Sequence, residues 1–378
     1  MARARARRHP ENRSHMNLTI LNVAYSLAPV AASTAGGAEQ VVKWLDSALV
    51  DAGHHSIVLA AEGSKVSGEL WTIPATGERI IDAQVASEIQ AAQTHAIGEI
   101  LRARQIDLIH MHGIDFCHCL PPAGIPVLAT LHLPVECYSE EIFHLNRPET
   151  YLNCVSRDQW QSLPRSLSVR AFIDNGVPIQ SAPPPRKKRG FAAALGRICP
   201  EKGFHLALSA AKKAGMPLVL AGKLFRYPAH EVYFQKQILP LLDRQRRFIG
   251  PVNTVAKQWL LSSAQCLLVP SLVSETSSLV SMEALACGTP VVAFRAGALP
   301  DIVDHGRTGF LVTSESEMAE AIPATRELDP EVCRAVARER FSLERMTQAY
   351  LGLYSDLIGD SDHHVTRMER SVGNSSEA

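Results

Sequence analysis

The stretch SETSSLVSMEALACGTPVV, residues 274–292, is typical of a polar loop, a short helix and a buried strand in succession. Apolar residues at helical spacing predict the helix, the Gly-Thr-Pro segment ends it, and the β-branched Val291 and Val292 favour a strand. Glu275 lies in the loop and Glu283 lies within the helix. The stretch is therefore one unit of an alternating α/β fold, with one carboxylate beside the helix start and a second further along.

The same alternation extends in both directions along the chain. Short apolar runs predict strands at 18–26, 56–61, 107–112, 126–132 and 151–156, and again at 191–198, 217–222, 246–250, 266–270 and 291–294. Helical patterns separate these runs, which predicts doubly wound parallel sheets. The expected fold is α/β, with two Rossmann-like domains that face each other across a cleft where the strands of both sheets end.

The Pro-rich segment SAPPPRKKRG, residues 181–190, divides the two series and predicts a solvated linker. The resulting organisation is a disordered basic leader at 1–16, domains at 17–180 and 191–340, a C-terminal helix at 341–358 and a disordered tail at 359–378. The last helix has its apolar residues on one face, and we expect it to cross back to the N-terminal domain.

Composition excludes several classes of protein. Lys plus Arg and Asp plus Glu both number 38 among 378 residues, so the net charge indicates no nucleic-acid partner. No apolar run approaches the roughly 20 residues that span a bilayer, so we expect no integral membrane segment, although peripheral attachment stays open. The leader lacks the apolar core of a secretory signal, and eight cysteines do not indicate a disulfide framework. These features predict a reduced, cytoplasmic location.

The loop in LGRICPEKG, residues 195–203, places two cations where a strand ends. Arg197 follows Gly196 directly, and Lys202 comes five residues later, before a new helix. Two cations at such a loop suit a diphosphate, and the free N–H groups of the helix that Ser277 or Ser278 would cap can hold the same anion. Taken alone, the loop favours two solvated surface cations.

Glu275 and Glu283 bracket this anion site from two directions. Carboxylates are good acceptors for vicinal hydroxyls, so Glu275 would contact a sugar and Glu283 a ribose on the two sides of the diphosphate. The alternative for Glu283 is a helix carboxylate satisfied by backbone or by an arginine. Gly36 and Gly37 lie between a strand and a helix, where backbone can approach a phosphate. They do not form G-x-G-x-x-G, which disfavours a NAD oxidoreductase.

Histidines and cysteines between residues 110 and 137 could also be drawn as a zinc site. They are His110, His112, Cys117, His118, Cys119, His132 and Cys137. Paired C-x₂-C elements are missing, and His110 and His112 alternate on one strand face, which favours the lining of an acceptor cleft over a metal. The DSD at 360–362 lies in the tail. We therefore expect no metal and no cofactor, since Arg197 and Lys202 can neutralise a diphosphate.

These motifs together resemble glycosyltransferase family 4, whose members are retaining, two-domain GT-B enzymes. The resemblance rests on GGAE (36–39), DLIHMHG (107–113), TLH (130–132), CVS (154–156), NGV (175–177), LGRICPEKG and the 274–292 stretch, and it spans residues 18–358 in order. The E-x7-E element combined with G-R-x4-K-G is specific. Thr276, Ser277 and Ser278 replace the aromatic or glycine residues common after the first glutamate, which bears on the donor sugar.

The resemblance implies a role for each matching position. The N-terminal domain would bind the acceptor and the C-terminal domain the nucleotide-sugar donor, with Arg197 and Lys202 on the diphosphate. Glu275 would contact the donor sugar, Glu283 the ribose, and His132 the transferred sugar. Gly36 and Gly37 would close the diphosphate site, which Gly196, Ser277, Ser278 and Leu279 complete. Attack from the same face assigns no protein nucleophile.

The sequence thus predicts a hexosyltransferase that uses a nucleotide-diphospho-sugar. The acceptor, whether glycan, lipid or small molecule, is not revealed, and neither is the choice among UDP, GDP and ADP. A nucleotide-sugar epimerase of GT-B architecture and a non-catalytic nucleotide-sugar-binding protein are the alternatives. The epimerase would consume donor without acceptor, and the intact set of charged residues argues against the binding protein.

Overall fold

The computed structural model describes residues 17–31, 36–75, 83–164, 169–179, 182 and 187–373, with side chains up to residue 359. These residues form two parallel sheets, one in each half of the chain. The predicted leader at 1–16 and half of the predicted linker lie outside the described residues. None of the described helices is long and apolar enough to cross a membrane.

The N-terminal half holds a seven-stranded sheet. Its elements are β1 (Thr19–Val23), α1 (Gly37–Asp51), β2 (His55–Ala61), β3 (Glu69–Ile73), α2 (Ala83–Ala103), β4 (Leu108–Met111), β5 (Val127–Leu131), β6 (Thr150–Cys154), α3 (Arg157–Ser162) and β7 (Val169–Phe172). The strand order is β3-β2-β1-β4-β5-β6-β7. The central strands are buried on both faces, which explains their nearly continuous apolar sequences.

The C-terminal half holds a six-stranded sheet in the order β10-β9-β8-β11-β12-β13. Its elements are β8 (Ala192–Leu195), α4 (Phe204–Lys213), β9 (Leu218–Ala221), α5 (Pro228–Tyr233), β10 (Arg246–Phe248), α6 (Thr254–Ser263), β11 (Cys266–Val269), α7 (Leu279–Ala286), β12 (Val291–Phe294), α8 (Leu299–Ile302), β13 (Gly309–Val312), α9 (Glu315–Ala324), α10 (Pro330–Arg340) and α11 (Leu343–Gly373). The stretch 274–292 is therefore a loop, α7 and β12, as its pattern predicts.

Both sheets reverse their strand order beside the first strand of each half. In the N-terminal sheet β1 pairs with β2 and β4, and in the C-terminal sheet β8 pairs with β9 and β11, all in parallel. The loops after these strands separate in opposite directions and leave a crevice at the carboxyl edge, which is where doubly wound sheets bind ligands. The topology therefore places two crevices, one in each domain, at the loops after β1 and β4 and after β8 and β11.

Three strands are absent from the sequence prediction, namely β3, β7 and β13. Each lies at the edge of its sheet. An edge strand is not enclosed on both sides, so its sequence need not be a continuous apolar run. In β3 the burial alternates between partly exposed, exposed and buried residues, which hides the strand from a search for buried runs.

The last helix, α11, packs on the N-terminal sheet although it follows the C-terminal domain. Tyr350 and Tyr354 are fully buried there against Ile20, Leu108 and Leu128. The Tyr354 hydroxyl lies 2.7 Å from His110 Nδ1, and Asn153 Nδ2 donates to the Tyr350 hydroxyl at 3.1 Å. The chain therefore returns to its first domain and fastens the two halves together.

Two boundaries differ from the sequence prediction. The helix continues to Gly373, so residues 359–373 are not the disordered tail that their polarity indicated. These residues lack the apolar periodicity by which a packed helix is recognised in a sequence. Their intrinsic helix propensity still allows the helix to continue. Lys188, assigned to a solvated linker, donates to Thr289 Oγ1 at 2.5 Å and to the Ser262 carbonyl at 3.2 Å, and burial lowers its pKa to about 8.

Candidate active site

The predicted site residues converge because each follows a strand at the carboxyl edge of its sheet. Gly36 and Gly37 follow β1, His132 follows β5, Gly196 and Arg197 follow β8, and residues 274–278 follow β11. Parallel strands bring these loops to one edge of each sheet, and the two edges meet in the cleft. Direct contact across the cleft is made by Thr276, whose hydroxyl donates to the His132 carbonyl at 2.9 Å.

Glu275 is buried and paired. Its Oε1 lies 2.5 Å from Lys202 Nζ and accepts a hydrogen bond from Ser271 Oγ, also at 2.5 Å. Only 8% of the residue is exposed. A buried carboxylate without a partner carries a large desolvation penalty, so Lys202 is needed to keep Glu275 in this position. The predicted donor-sugar carboxylate and one predicted diphosphate cation are therefore a single ion pair.

The backbone of Glu275 is held by a tight turn that begins after β12. Ala298 N donates to the Glu275 carbonyl at 2.7 Å. Gly297 adopts φ +55, and a Cβ at this position would stand 2.3 Å from the Glu275 carbonyl oxygen and 2.5 Å from its nitrogen. Only glycine therefore allows both this backbone conformation and this close approach. The sequence interpretation assigned no role to Gly297.

The start of α7 is open to an anion. Ser278 is the residue before the helix, but its side chain caps no backbone N–H and instead lies 2.8 Å from Ser281 Oγ. The expected serine cap is thus absent, and the first amides of the helix are not occupied by it. Ser277 Oγ is buried and has no hydrogen-bond partner within the described residues. A Cβ on Gly37 would stand 3.4 Å from Leu279 Cδ1, so the glycine turn of the other domain reaches this helix start.

Glu283 lies on α7 and is also paired with a lysine. Lys257 Nζ, from α6, is 2.5 Å from Glu283 Oε1, and the two side chains are 18% and 13% exposed. Burial raises the pKa of Glu283, whereas the charge of Lys257 and its hydrogen bond lower it. The partner is thus a lysine and not the arginine or backbone group that the sequence alternative named, and Lys257 is a residue that sequence reasoning missed.

His132 is the histidine that borders the cleft. Burial lowers its pKa to about 4, so the ring is neutral near pH 7. Its Nε2 lies 3.0 Å from His112 Nδ1, and the two rings stack with centroids 5.3 Å apart. The pairing holds the His132 ring in one orientation. His112 is only 2% exposed, so it reaches the cleft through His132 and does not line the cleft itself.

His110 does not line the acceptor cleft, contrary to the sequence prediction. The residue is fully buried, with Nδ1 against Tyr354 and Nε2 2.7 Å from Thr130 Oγ1. It shares a strand face with His112, at a ring-centroid distance of 3.9 Å, as their alternation indicated. The tyrosines that cover His110 come from α11, more than two hundred residues later. No sequence pattern near β4 indicates that this helix packs over the strand.

Glu39 is a second site residue to which the sequence interpretation gave no role. It lies in the first turn of α1, is 6% exposed, and folds back so that a Cβ on Gly36 would meet its Oε2 at 1.8 Å. Burial raises its pKa, opposed by its own backbone N–H and by the positive charge of Arg197 from the other domain. Glu39 is part of the GGAE motif, but the sequence interpretation assigned roles only to the two glycines.

The histidine–cysteine region does not form the cluster that a zinc site would need. Among the described residues, the three potential ligand atoms that lie within 4.8 Å of one another belong to Cys199, Glu201 and His230. Cys119 instead donates to Gln93 Oε1 at 3.4 Å. Cys199 and Glu201 lie in the Arg197–Lys202 loop, so this small cluster adjoins the candidate site.

Comparisons with protein families identify both halves of the chain. The model described as "Glycosyltransferase Family 4" matches residues 35–172, and the one described as "Glycosyl transferases group 1" matches residues 179–336. The D-inositol 3-phosphate glycosyltransferase of Mycobacterium bovis is 35% identical over 182 residues, which are 44% of this chain and 37% of that protein. The corresponding protein of Saccharomonospora viridis is 37% identical over 125 residues, 31% of this chain and 28% of that protein. The matches thus span well under half of these relatives.

Solved structures share the whole architecture. Sucrose-phosphate synthase from Thermosynechococcus elongatus superposes with a TM-score of 0.76 at 21% identity, covering 91% of this chain and 100% of that one. Anabaena HepE, solved in complex with UDP-glucose, gives a TM-score of 0.69 at 20% identity, with 90% and 100% covered. At these identities the likeness shows the fold alone, and that fold is GT-B.

We expect Gly297→Ala to destabilise the protein more than a comparable glycine substitution elsewhere. The added Cβ would push directly on the Glu275 backbone, in addition to the roughly 1–2 kcal/mol cost of a left-handed conformation. Gly306→Ala is the matched control, since Gly306 also has a positive φ, +78, but no atom lies within 4 Å of its added Cβ. Denaturant unfolding of both variants measures the difference. Equal losses of stability would contradict the close approach at Glu275.

Proposed function

Since the chain belongs to glycosyltransferase family 4, we propose that it is a retaining hexosyltransferase that uses a nucleotide-diphospho-sugar. One observation carries the proposal. Two carboxylates, Glu275 in the loop before the uncapped start of α7 and Glu283 within that helix, are each held by a lysine. An anion site flanked by two hydroxyl acceptors matches a diphosphate with a sugar ring at each end.

The leaving group is the nucleoside diphosphate, which gains negative charge as the glycosidic bond to it breaks. Lys202 would sit on this charge from its position beside Glu275, and Arg197 would do so from the end of β8. The first amides of α7 would hold the same oxygens. Fixed donors and cations aimed at developing charge stabilise a transition state more than a ground state, so these groups would accelerate the reaction.

The transferred sugar would lie between Glu275 and His132. The neutral His132 ring, fixed by His112, offers hydrogen bonding without a competing positive charge. Thr276 links the loop of Glu275 to the His132 carbonyl, so a hydrogen bond connects the segments that would make the two sugar contacts. Attack of the acceptor from the face that the diphosphate leaves gives retention, and no protein nucleophile is needed.

The acceptor would bind against the N-terminal domain. Tyr25 and Asp115 both lie beside Gly113, and burial followed by the Asp115 charge raises the pKa of Tyr25 to about 12. A protonated tyrosine next to a carboxylate can hold hydroxyl groups. HepE suggests UDP-glucose as the first donor to test, and the curated relatives suggest D-inositol 3-phosphate as the first acceptor.

We expect Arg197→Ala and Lys202→Ala each to lower turnover by about two orders of magnitude or more, because each removes a charge aimed at the leaving diphosphate. Transfer from radiolabelled donor to acceptor measures the rate, and circular dichroism checks the fold. Lys213→Ala is the control, since Lys213 pairs with Glu315 on the outer helices. Donor turnover without acceptor would favour the epimerase instead. Near-normal rates in both site variants would contradict the assignment of Arg197 and Lys202 to the donor site.

Glu275→Gln and Glu283→Gln should fail in different ways. Glu283→Gln should weaken binding of the free nucleoside diphosphate, since the ribose is common to it and the donor. Loss of a charge-assisted hydrogen bond costs about 1.5–3 kcal/mol, or roughly tenfold or more in affinity. Glu275→Gln should leave that affinity nearly unchanged and depress sugar transfer. Calorimetry and transfer assays on both variants decide this, and a reversed pattern would mean that the two roles are exchanged.

We also propose that transfer needs no bound metal, since lysine and arginine side chains supply the positive charge. Activity should therefore survive EDTA. The Cys199, Glu201 and His230 cluster provides the control, through Cys199→Ser assayed in parallel. Loss of wild-type activity on chelation, restored by Zn²⁺ in the wild type but not in Cys199→Ser, would show instead that this cluster holds a required metal.

A further inference from the structure

A cavity of about 270 Å³ lies between the two domains, beside Glu283. Its wall includes Gln40, Lys43 and Trp44 from α1, Lys257 from α6, and Glu283 from α7. The lining is mainly apolar with a few convergent polar groups, which is the character of a small-molecule site. Under the proposed function, the nucleoside end of the donor would occupy this cavity, with its ribose against Glu283.

Lys257 occupies a central position in this wall. Its Nζ lies 2.5 Å from Glu283 Oε1 and 3.5 Å from Gln40 Oε1. Gln40 in turn donates through Nε2 to the Gly36 carbonyl at 3.3 Å. A continuous series of polar contacts therefore runs from the glycine turn of the N-terminal domain to the buried carboxylate of the C-terminal domain.

We propose that Lys257 is a positioning residue for the nucleoside of the donor, which keeps Glu283 ionised and aimed into the cavity and links it to Gln40. This inference rests on the proposed function and adds to it a residue outside the E-x7-E and G-R-x4-K-G motifs. An ionised carboxylate can accept hydrogen bonds from both ribose hydroxyls. In a protonated carboxyl group, one oxygen carries the proton and acts as a donor instead. The state of Glu283 would therefore set nucleotide affinity.

The charged and titratable groups around Glu283 come from several elements. Lys257 lies on α6, Cys287 follows α7, and Lys43 faces the same cavity from α1. The charges of Lys188 and Arg334 lower the pKa of Cys287. Lys43 differs from Lys257, because its Nζ donates to the Lys65 carbonyl at 3.1 Å. The positive charge in contact with the Glu283 carboxylate is that of Lys257.

The charges around Glu283 determine how the pH dependence of nucleotide affinity should change when Lys257 is removed. Burial raises the pKa of Glu283 and Lys257 opposes that rise. Removal of Lys257 should raise the pKa further, so that protonation of Glu283 begins at a higher pH. Nucleotide affinity should then decline from a higher pH than in the wild type. A lysine that merely supported the fold would change affinity by the same factor at every pH.

Calorimetry with UDP, GDP and ADP, from about pH 5 to about pH 8, tests the proposal on the full-length chain. The variants are Lys257→Met, Lys257→Arg and the charge-matched control Lys213→Met, since Lys213 pairs with Glu315 and does not line the cavity. We expect the acid midpoint of affinity to move up by about one pH unit in Lys257→Met, which is roughly tenfold weaker binding at the acid end. Lys257→Arg should restore the wild-type midpoint, and Lys213→Met should leave it in place. Titration of the nucleotide itself affects all variants equally, so it does not contribute to the difference between their midpoints.

A uniform loss of affinity in Lys257→Met, or an unchanged midpoint, would overturn the role of Lys257 and leave the proposed function standing. Failure of the wild type to bind any of the three nucleotides would overturn the proposed function itself. If Lys257→Met does not fold, Lys257→Gln replaces it, since it keeps a hydrogen-bond donor but removes the charge. The same upward shift is expected, and its absence would count equally against the proposal.

Discussion

Buried carboxylates must be paired with cations, and the cleft of this protein is arranged around that constraint. Removing a carboxylate from water costs several kcal/mol unless a partner and further hydrogen bonds offset it. Glu275 is satisfied by Lys202 and Ser271, and Glu283 by Lys257. These partners belong to different loops and helices of the C-terminal domain, so the two ion pairs hold the β8 loop, α6 and α7 together around one open helix start.

The two domains are joined by contacts at both ends of the cleft. Thr276 donates to the His132 carbonyl beside Glu275, and Lys257 approaches Gln40 beside Glu283. Behind the cleft, α11 lays Tyr350 and Tyr354 over the N-terminal sheet. A ligand that contacts both walls would add its own binding energy to these links. The chain differs from the family pattern at Thr276, and the Thr276 hydroxyl still joins the two domains through the His132 carbonyl.

Sequence patterns predicted the features that are local in the chain. The central strands, the helix in the 274–292 stretch and the loop with Arg197 could be recognised because burial on both faces, helical spacing and strand ends leave signals within ten to twenty residues. Edge strands such as β3 left weaker signals, since they are not enclosed on both sides. The predicted cap at Ser278 was wrong because Ser281 competes for the same hydroxyl.

The sequence by itself determined the doubly wound architecture, the E-x7-E and G-R-x4-K-G motifs and the absence of a dinucleotide fingerprint. Tertiary structure alone decided which partner each charged side chain takes. Lys257 precedes Glu283 by 26 residues, and Tyr354 follows His110 by 244, so only folding brings them together. Hydrophobic periodicity is read along the chain, whereas ion pairing and burial depend on elements that meet in space. For that reason His110 was mistaken for a cleft residue, and Lys257 could not be found at all.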